Sequence, residues 1–206
     1  MNKEQTGVVI LAAGASRRMG QPKQLLPYQG QPLLQHTLDV VANLPISTSV
    51  VVLGASADSI CEAITPRTTN VLLHPDWTLG MASSLVAGLQ DVLLRCPDIV
   101  HLMVLLSDQP FISQPFLEGL LDIHFREQPL ITASQYGDTI GVPALFSREV
   151  FPELLALEGD RGANKLIQRY REQCVVVPFE LGAIDVDTPF DYDKLIRDYK
   201  KSSMLE

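Results

Sequence analysis

The chain has 206 residues, 46% hydrophobic and 19% charged, a balance that excludes intrinsic disorder as its main state and fits one buried core better than two. Sixteen Lys and Arg against 24 Asp and Glu leave a net charge of -8, which excludes broad electrostatic binding to nucleic acid or to an anionic membrane surface. Any anionic ligand therefore has to meet a local cluster of positive charge.

Lys3 followed by the apolar Val8 to Ala13 and the small residues Ala13-Gly14-Ala15 has the outline of a secretory signal. The apolar run is shorter than the usual stretch of about 7 to 15 residues, and Arg17 and Arg18 follow at once, so the chain is expected to be unprocessed. Gly7 to Ala13 instead suits a parallel strand covered on both faces. The helix expected over Pro32 to Val41 is amphipathic, Ser49 to Gly54 is a second strand, Asp58 to Ile64 a short helix, and Asn70 to Leu73 a third strand. A helix follows from Ala82 to Leu94, then a buried strand from His101 to Asp108 and a helix from Pro115 to Phe125 that starts near Ser113 or Gln114. Beyond Gln128 the pattern loosens. Leu130 to Ala133, Pro143 to Phe146, Cys174 to Phe179 and Ala183 to Asp187 read as shorter strands, with helices over Glu149 to Leu157 and Ala163 to Tyr170. The alternation predicts an α/β fold, a Rossmann-like three-layer sandwich around a mostly parallel mixed sheet, in a single domain spanning residues 1–206. No run approaches the roughly 20 apolar residues of a membrane helix. Cys61, Cys96 and Cys174 have neither disulfide nor metal-knuckle spacing, which predicts a reducing, cytoplasmic setting.

In an open α/β sheet ligands bind beyond the carboxyl ends of the strands, so the post-strand segments are the places to search. The first runs from Leu11, Ala12, Ala13 and Gly14 through Arg17, Arg18 and Gly20 to Lys23. Apart from Lys3, its three cations are the only basic residues before Arg67, so an acidic chain concentrates its positive charge in one glycine-bearing loop. That pattern predicts a polyphosphate ligand over a merely solvated turn, although the spacing is neither a P-loop nor a dinucleotide fingerprint. Asp108 ends the buried strand and needs a cation, a donor cluster or water; magnesium and a helix-capping role starting at Ser107 or Asp108 fit it equally well. In Ala183 to Tyr192, strand alternation would send Asp185 and Asp187 to one face before Thr188-Pro189 opens a helix. Gly80-Met81-Ala82-Ser83-Ser84-Leu85 reads most simply as a capped helix start.

The loop Leu11-Ala12-Ala13-Gly14, Ser16, Arg18-Met19-Gly20 and Lys23 resembles the signature loop of the nucleotidyltransferases that include the molybdenum cofactor guanylyl- and cytidylyltransferases and, more remotely, sugar-phosphate nucleotidyltransferases. The resemblance runs from Val8 to about Leu195 with its motifs in order. It implies that Leu11 to Gly14 lie along a nucleoside triphosphate, that Arg18 and Lys23 bind its phosphates and act in catalysis, and that Asp108 and Asp187 hold a catalytic Mg2+. Gly80, Ser83 and Ser84 resemble the base and ribose pocket of the cytidylyltransferase-like branch, which points to CTP. Gln109, Gly141, Pro143 and Asp160 match segments that face the acceptor, with Val142 where many molybdopterin-handling relatives carry histidine; Asp160 equally suits a cap of the helix starting near Gly162.

The expected activity is thus Mg2+-dependent transfer of CMP from CTP to the phosphate of molybdopterin, with pyrophosphate released, in the service of a xanthine-dehydrogenase-like molybdoenzyme or its chaperone. A sugar- or alditol-phosphate nucleotidyltransferase is the rival, and a non-catalytic accessory protein for a molybdoenzyme the reading from another class. His36, His74, His101 and His124 show no ligand spacing, and Ser83, Ser84 and Ser107 lack a hydrolase elbow. Trp77 reads as a packing residue under its loop.

Overall fold

The computed structural model describes residues 5–202. Strand β1 (Thr6–Ala12) leads through a loop and a two-stranded hairpin, β2 (Pro27–Tyr28) and β3 (Gln31–Pro32), into helix α1 (Leu33–Ala42). Then come β4 (Thr48–Leu53), α2 (Ala57–Ala63), β5 (Asn70–Leu73), α3 (Met81–Arg95), β6 (His101–Leu106) and α4 (Gln114–Glu127). The second half adds β7 (Ile131–Tyr136), β8 (Thr139–Ser147), α5 (Phe151–Leu155), α6 (Asn164–Arg169), β9 (Cys174–Pro178) and α7 (Pro189–Ser202). Seven strands form one sheet in the order β5-β4-β1-β6-β8-β7-β9. Only β8 runs antiparallel to its neighbours, so the expected mostly parallel mixed sheet is the one observed. No described helix is long and apolar enough to cross a membrane, and the three cysteines are free thiols.

The continuous apolar runs serve two cores, because successive side chains of a strand point to opposite faces. Val9, Val50, Val52, Leu102, Val104 and Phe146 pack on one face against Leu85, Leu89 and Val92 of α3. On the other, Val8, Ile10, Val51, Met103, Leu105 and Leu145 meet Leu34 and Leu38 of α1 and Leu117, Leu120 and Leu121 of α4. Ser113 caps α4 as expected, its hydroxyl accepting from the Phe116 amide.

A third, smaller core lies beside the sheet. Met19, Leu26, Tyr28, Leu33, Val186 and Leu195 are all buried there, and Tyr192 of α7 donates from its hydroxyl to the Pro27 carbonyl at 2.7 Å. The hairpin that supplies Tyr28 turns on Gln29 and Gly30, both at positive φ, a two-residue signal that composition alone does not expose.

The strand expected over Ala183 to Asp187 does not form. Residues Glu180–Ala183 make a 3-10 turn, and the chain then crosses the carboxyl end of the sheet with one backbone bond, Val186 N to Asp108 O at 3.1 Å. The physical reason is position: the segment passes Asp108, beyond the last residues of β6 that pair with β8 (Val104) and β1 (Leu106), so no ladder continues there for it to join.

Two histidines that show no spacing in the sequence meet at the amino end of β6. His124 Nε2 lies 3.0 Å from His101 Nδ1, and His124 Nδ1 lies 2.8 Å from the Thr132 hydroxyl. Burial, then the His101 ring, pushes His124 down to about 3, and burial also lowers His101. A lowered folded value favours the neutral ring, so this stabilisation is complete above the ordinary histidine value and is lost as pH falls from about 6.5 towards 3. Between pH 6.5 and 4 the wild-type protein is expected to lose stability more steeply than His124→Gln, by about 1.4 kcal/mol per pH unit. Urea midpoints at several pH values check this; parallel curves for the two proteins would exclude it.

Candidate active site

The chain moves from β1 to β4 on one side of the sheet and returns to β6 on the other, so the loops after β1 and β6 diverge at their carboxyl ends. Strand-order reversal of this kind leaves a crevice. A cavity of about 540 Å³ lies there, with Leu11, Ala12, Ala13, Gly14, Arg18 and Lys23 on one wall and Gly80, Ser84 and Asp160 on another; Asp108 and Asp187 also line it.

The loop after β1 owes its shape to two polar side chains. Gln24 is buried and donates from Nε2 to the carbonyls of Ala12 and Gly14, at 2.8 and 3.2 Å. The Ser16 hydroxyl accepts from the Lys23 amide at 3.1 Å and donates to Gln24 Oε1 at 3.4 Å. Met19, next to Arg18, sits in the third core with Val186, next to Asp187. Two buried apolar neighbours thereby hold two charged residues face to face. A Cβ built on Gly14 meets nothing within 4 Å, leaving that stretch of backbone open to a ligand.

Lys23 Nζ donates to Asp108 Oδ2 at 2.5 Å and to Asp187 Oδ1 at 2.8 Å, and Arg18 Nη2 to Asp187 Oδ2 at 2.5 Å. Burial opposes the Lys23 ammonium, but its hydrogen bonds and charge pairing with Asp108 and Asp187 prevail and hold its pKa above the ordinary lysine value. For Asp187, burial is likewise outweighed, by Lys23 and then Arg18, and the carboxyl is held below its usual range. Asp185 is exposed as a residue, yet partial loss of hydration and the like charges of Asp187 and Asp108 raise it. The phenol of Tyr136 is also raised, by burial first and then by Asp108 and Asp185.

The four charged residues predicted from the sequence are therefore in direct contact. Asp108 Oδ1 is buried without a hydrogen-bond partner among the described residues. An unpaired carboxylate oxygen inside an ion-pair cluster has ligand capacity to spare, so Asp108 and Asp187 fit a hard divalent cation, which needs only one or two carboxylates when phosphate and water complete its shell.

Other predicted residues are placed differently. Ser83 does not line the cavity, nor does it cap α3, whose N-cap is Gly80 without a side-chain bond: its hydroxyl lies 3.0 Å from His74 Nε2 and donates to the Gly80 carbonyl at 2.8 Å. Gln109 is buried outside the cavity lining, donating to the carbonyls of Val142 and Gly182 at 3.1 and 3.4 Å, and Gly141 and Pro143 are buried in β8. Residues not singled out for the site also line it, among them Gln24, Trp77, Thr78, Met81 and Ser107. A buried Gln24 looks like any surface glutamine in sequence. Trp77 both packs and lines: a Cβ on Gly54 would lie 2.5 Å from its ring, so Gly54 is what lets the indole close over the end of β4.

Gly80 brings the far wall in. Its φ is +106, and a Cβ would lie 2.5 Å from Asp160 Oδ1 and 2.7 Å from the Gly159 carbonyl oxygen, which accepts from the Ala82 amide. Gly80→Ala is expected to cost about 1–3 kcal/mol in backbone strain and to displace residues 159 and 160 from the cavity wall. A urea melt checks this; an unchanged midpoint would exclude it.

A model of the MobA-like NTP transferase domain matches residues 8–174. Nicotine blue oxidoreductase of Paenarthrobacter nicotinovorans is 36% identical over 117 residues, covering 56% of this chain and 55% of that protein, so the chain spans about half the length of this relative. The crystal structure of the Mycobacterium tuberculosis Rv0371c homologue from Mycobacterium sp. strain JC1 superposes with a TM-score of 0.84 at 33% identity, covering 97% of this chain and 98% of the other. The complex of Rv0371C with manganese from M. tuberculosis H37Rv gives 0.78 at 32%, covering 94% and 98%. With the family model spanning most of the sheet and the charged loop, the chain belongs to the MobA-like NTP transferase family.

Proposed function

We propose that the chain is a divalent-metal-dependent nucleotidyltransferase that transfers CMP from CTP to the phosphate of molybdopterin and releases pyrophosphate. The observation that carries the reaction class is the contact chain Arg18–Asp187–Lys23–Asp108 at a cavity of nucleotide size. In this reading Arg18 and Lys23 bind the polyphosphate and neutralise charge that builds up in the transition state. Asp108 and Asp187 hold the cation, Mg2+ by preference; the manganese in the Rv0371C complex supports a divalent ion. Bound there, the cation supplies Lewis-acid neutralisation of phosphate charge. An oxygen of the acceptor phosphate forms a bond to the α-phosphorus, and the bond from the α-phosphorus to the pyrophosphate oxygen breaks. The acceptor oxygen is already anionic, so no protein base is needed, and rate comes from positioning and electrostatics.

Leu11 to Gly14, Gly80 and Ser84 line the space assigned to the nucleotide, with Ser83 bracing the helix start behind it. CTP rests on the resemblance of the Gly80 to Leu85 segment. On the acceptor side Asp160 reaches the cavity, while Gln109, Gly141 and Pro143 would shape it from behind, Gln109 by tying β8 to the chain at Gly182. A cytoplasmic location, a single domain over residues 1–206 and delivery of product to a xanthine-dehydrogenase-like enzyme complete the reading.

The test is incubation of the purified protein with Mg2+ and each nucleoside triphosphate, with and without molybdopterin, measuring pyrophosphate and product mass. Pyrophosphate and a CMP adduct with CTP and molybdopterin together are expected. Pyrophosphate only with a sugar or alditol phosphate would install that rival acceptor. Nucleotide binding without pyrophosphate under any condition would favour a non-catalytic accessory protein.

A further inference from the structure

The charges at the site balance in pairs. Two carboxylates, Asp108 and Asp187, face one ammonium and one guanidinium, and Lys23 Nζ touches both carboxylates, at 2.5 and 2.8 Å. Its ammonium thus stands at the oxygens that the reading above gives to a divalent cation. We propose that Lys23 is a built-in occupant of that cation position in the nucleotide-free protein, and that the metal enters only with the nucleotide, whose polyphosphate takes the ammonium away. The inference rests on the metal assignment above, but it concerns the order of binding and not the reaction.

Electrostatics favour this order. A divalent ion arriving alone would meet carboxylates that are already neutralised and an ammonium in contact with them. Lys23 and Asp108 are only 15% and 14% exposed, so water and salt screen that repulsion weakly. A nucleoside triphosphate brings the compensating negative charge and a new partner for the ammonium. Nothing in the backbone has to move. The Lys23 amide is held by the Ser16 hydroxyl, and the neighbouring Gln24 is anchored to Ala12 and Gly14, so only the four-carbon stem swings. Arg18, 70% exposed, is equally free to follow a phosphate. The fit of the occupant is also incomplete: Lys23 bonds Asp108 through Oδ2 and leaves Oδ1 without a partner among the described residues.

Mn2+ is the probe, followed through the paramagnetic resonance of the free ion with the full chain and no nucleotide. Lys23→Met and Lys23→Gln are expected to bind Mn2+ at least about tenfold more tightly than the wild type, since an opposing charge is gone. Adding Asp108→Asn should abolish the gain. Equal or weaker binding by the folded variants, or a gain that survives Asp108→Asn, overturns the proposal. A second measurement needs no variant: the side-chain nitrogen resonance of Lys23 in 15N-lysine-labelled wild type. It should hold its position with Mg2+ alone and move with Mg2+ plus CTP. Movement with Mg2+ alone, or none with both, overturns the proposal as well. A tenfold Mn2+ gain at Asp108 alongside no pyrophosphate from any triphosphate would retire the transferase reading and leave this inference standing.

Discussion

Asp108→Asn is expected to lower turnover by about a thousandfold while leaving the fold intact, because it removes one of the two carboxylates proposed to hold the cation, in a reaction whose rate is proposed to come mostly from charge neutralisation. The fold is spared for identifiable reasons. Asparagine keeps the shape of the side chain, Val186 still donates to the backbone carbonyl of residue 108, and Lys23 retains Asp187 at 2.8 Å. Steady-state pyrophosphate release, with near-ultraviolet circular dichroism as the structural control, makes the comparison. Turnover within a few-fold of wild type would remove Asp108 from the metal site, whereas lost dichroism would show that its role is structural.

Met19→Ala is expected to cost about 2–3 kcal/mol and, on the proposed function, to weaken CTP binding about tenfold, although Met19 carries no charge and is not among the cavity-lining residues. The side chain is buried with Leu26, Tyr28, Leu33, Val186 and Leu195, and that cluster fastens the Arg18 to Lys23 loop to the segment carrying Asp187. Loosening it lets two pairs of charges drift apart, and ion pairs so dependent on geometry lose much of their worth over an ångström or two. Met19→Leu conserves most of the volume and should restore both quantities. Urea denaturation and calorimetric titration separate the effects; a destabilised protein with unchanged CTP affinity would show that the cluster supports the fold but not the site.

How far the site was legible depended on whether a residue's role was written in its neighbours. Arg18, Lys23 and Asp108 stand out because each combines a charge with a strand end or a cation-poor surround. Asp187 was found through its resemblance, while the strand expected around it proved to be an irregular crossing held by one backbone bond. Gln24 and the Gln29-Gly30 hairpin left little trace, since a buried glutamine and a two-residue turn are ordinary in composition. Ser83 neither lines the cavity nor caps its helix, donating instead to the Gly80 carbonyl, while its neighbour Ser84 lines the cavity. The His101–His124 pair was invisible because their 23-residue separation is closed only when α4 packs on the sheet.

Taken alone, the sequence determined the alternating α/β architecture, since strand-length apolar runs and helical spacing are local properties of the chain. It also determined where positive charge gathers, in the loop at residues 17–23, despite a net charge of -8. Only the tertiary structure decided that Lys23 joins Asp108 and Asp187, residues 85 and 164 positions away, and that a small apolar cluster beside the sheet maintains their meeting. Pairings of that range depend on strand order and on which edges remain open, and neither is encoded in any single stretch of chain.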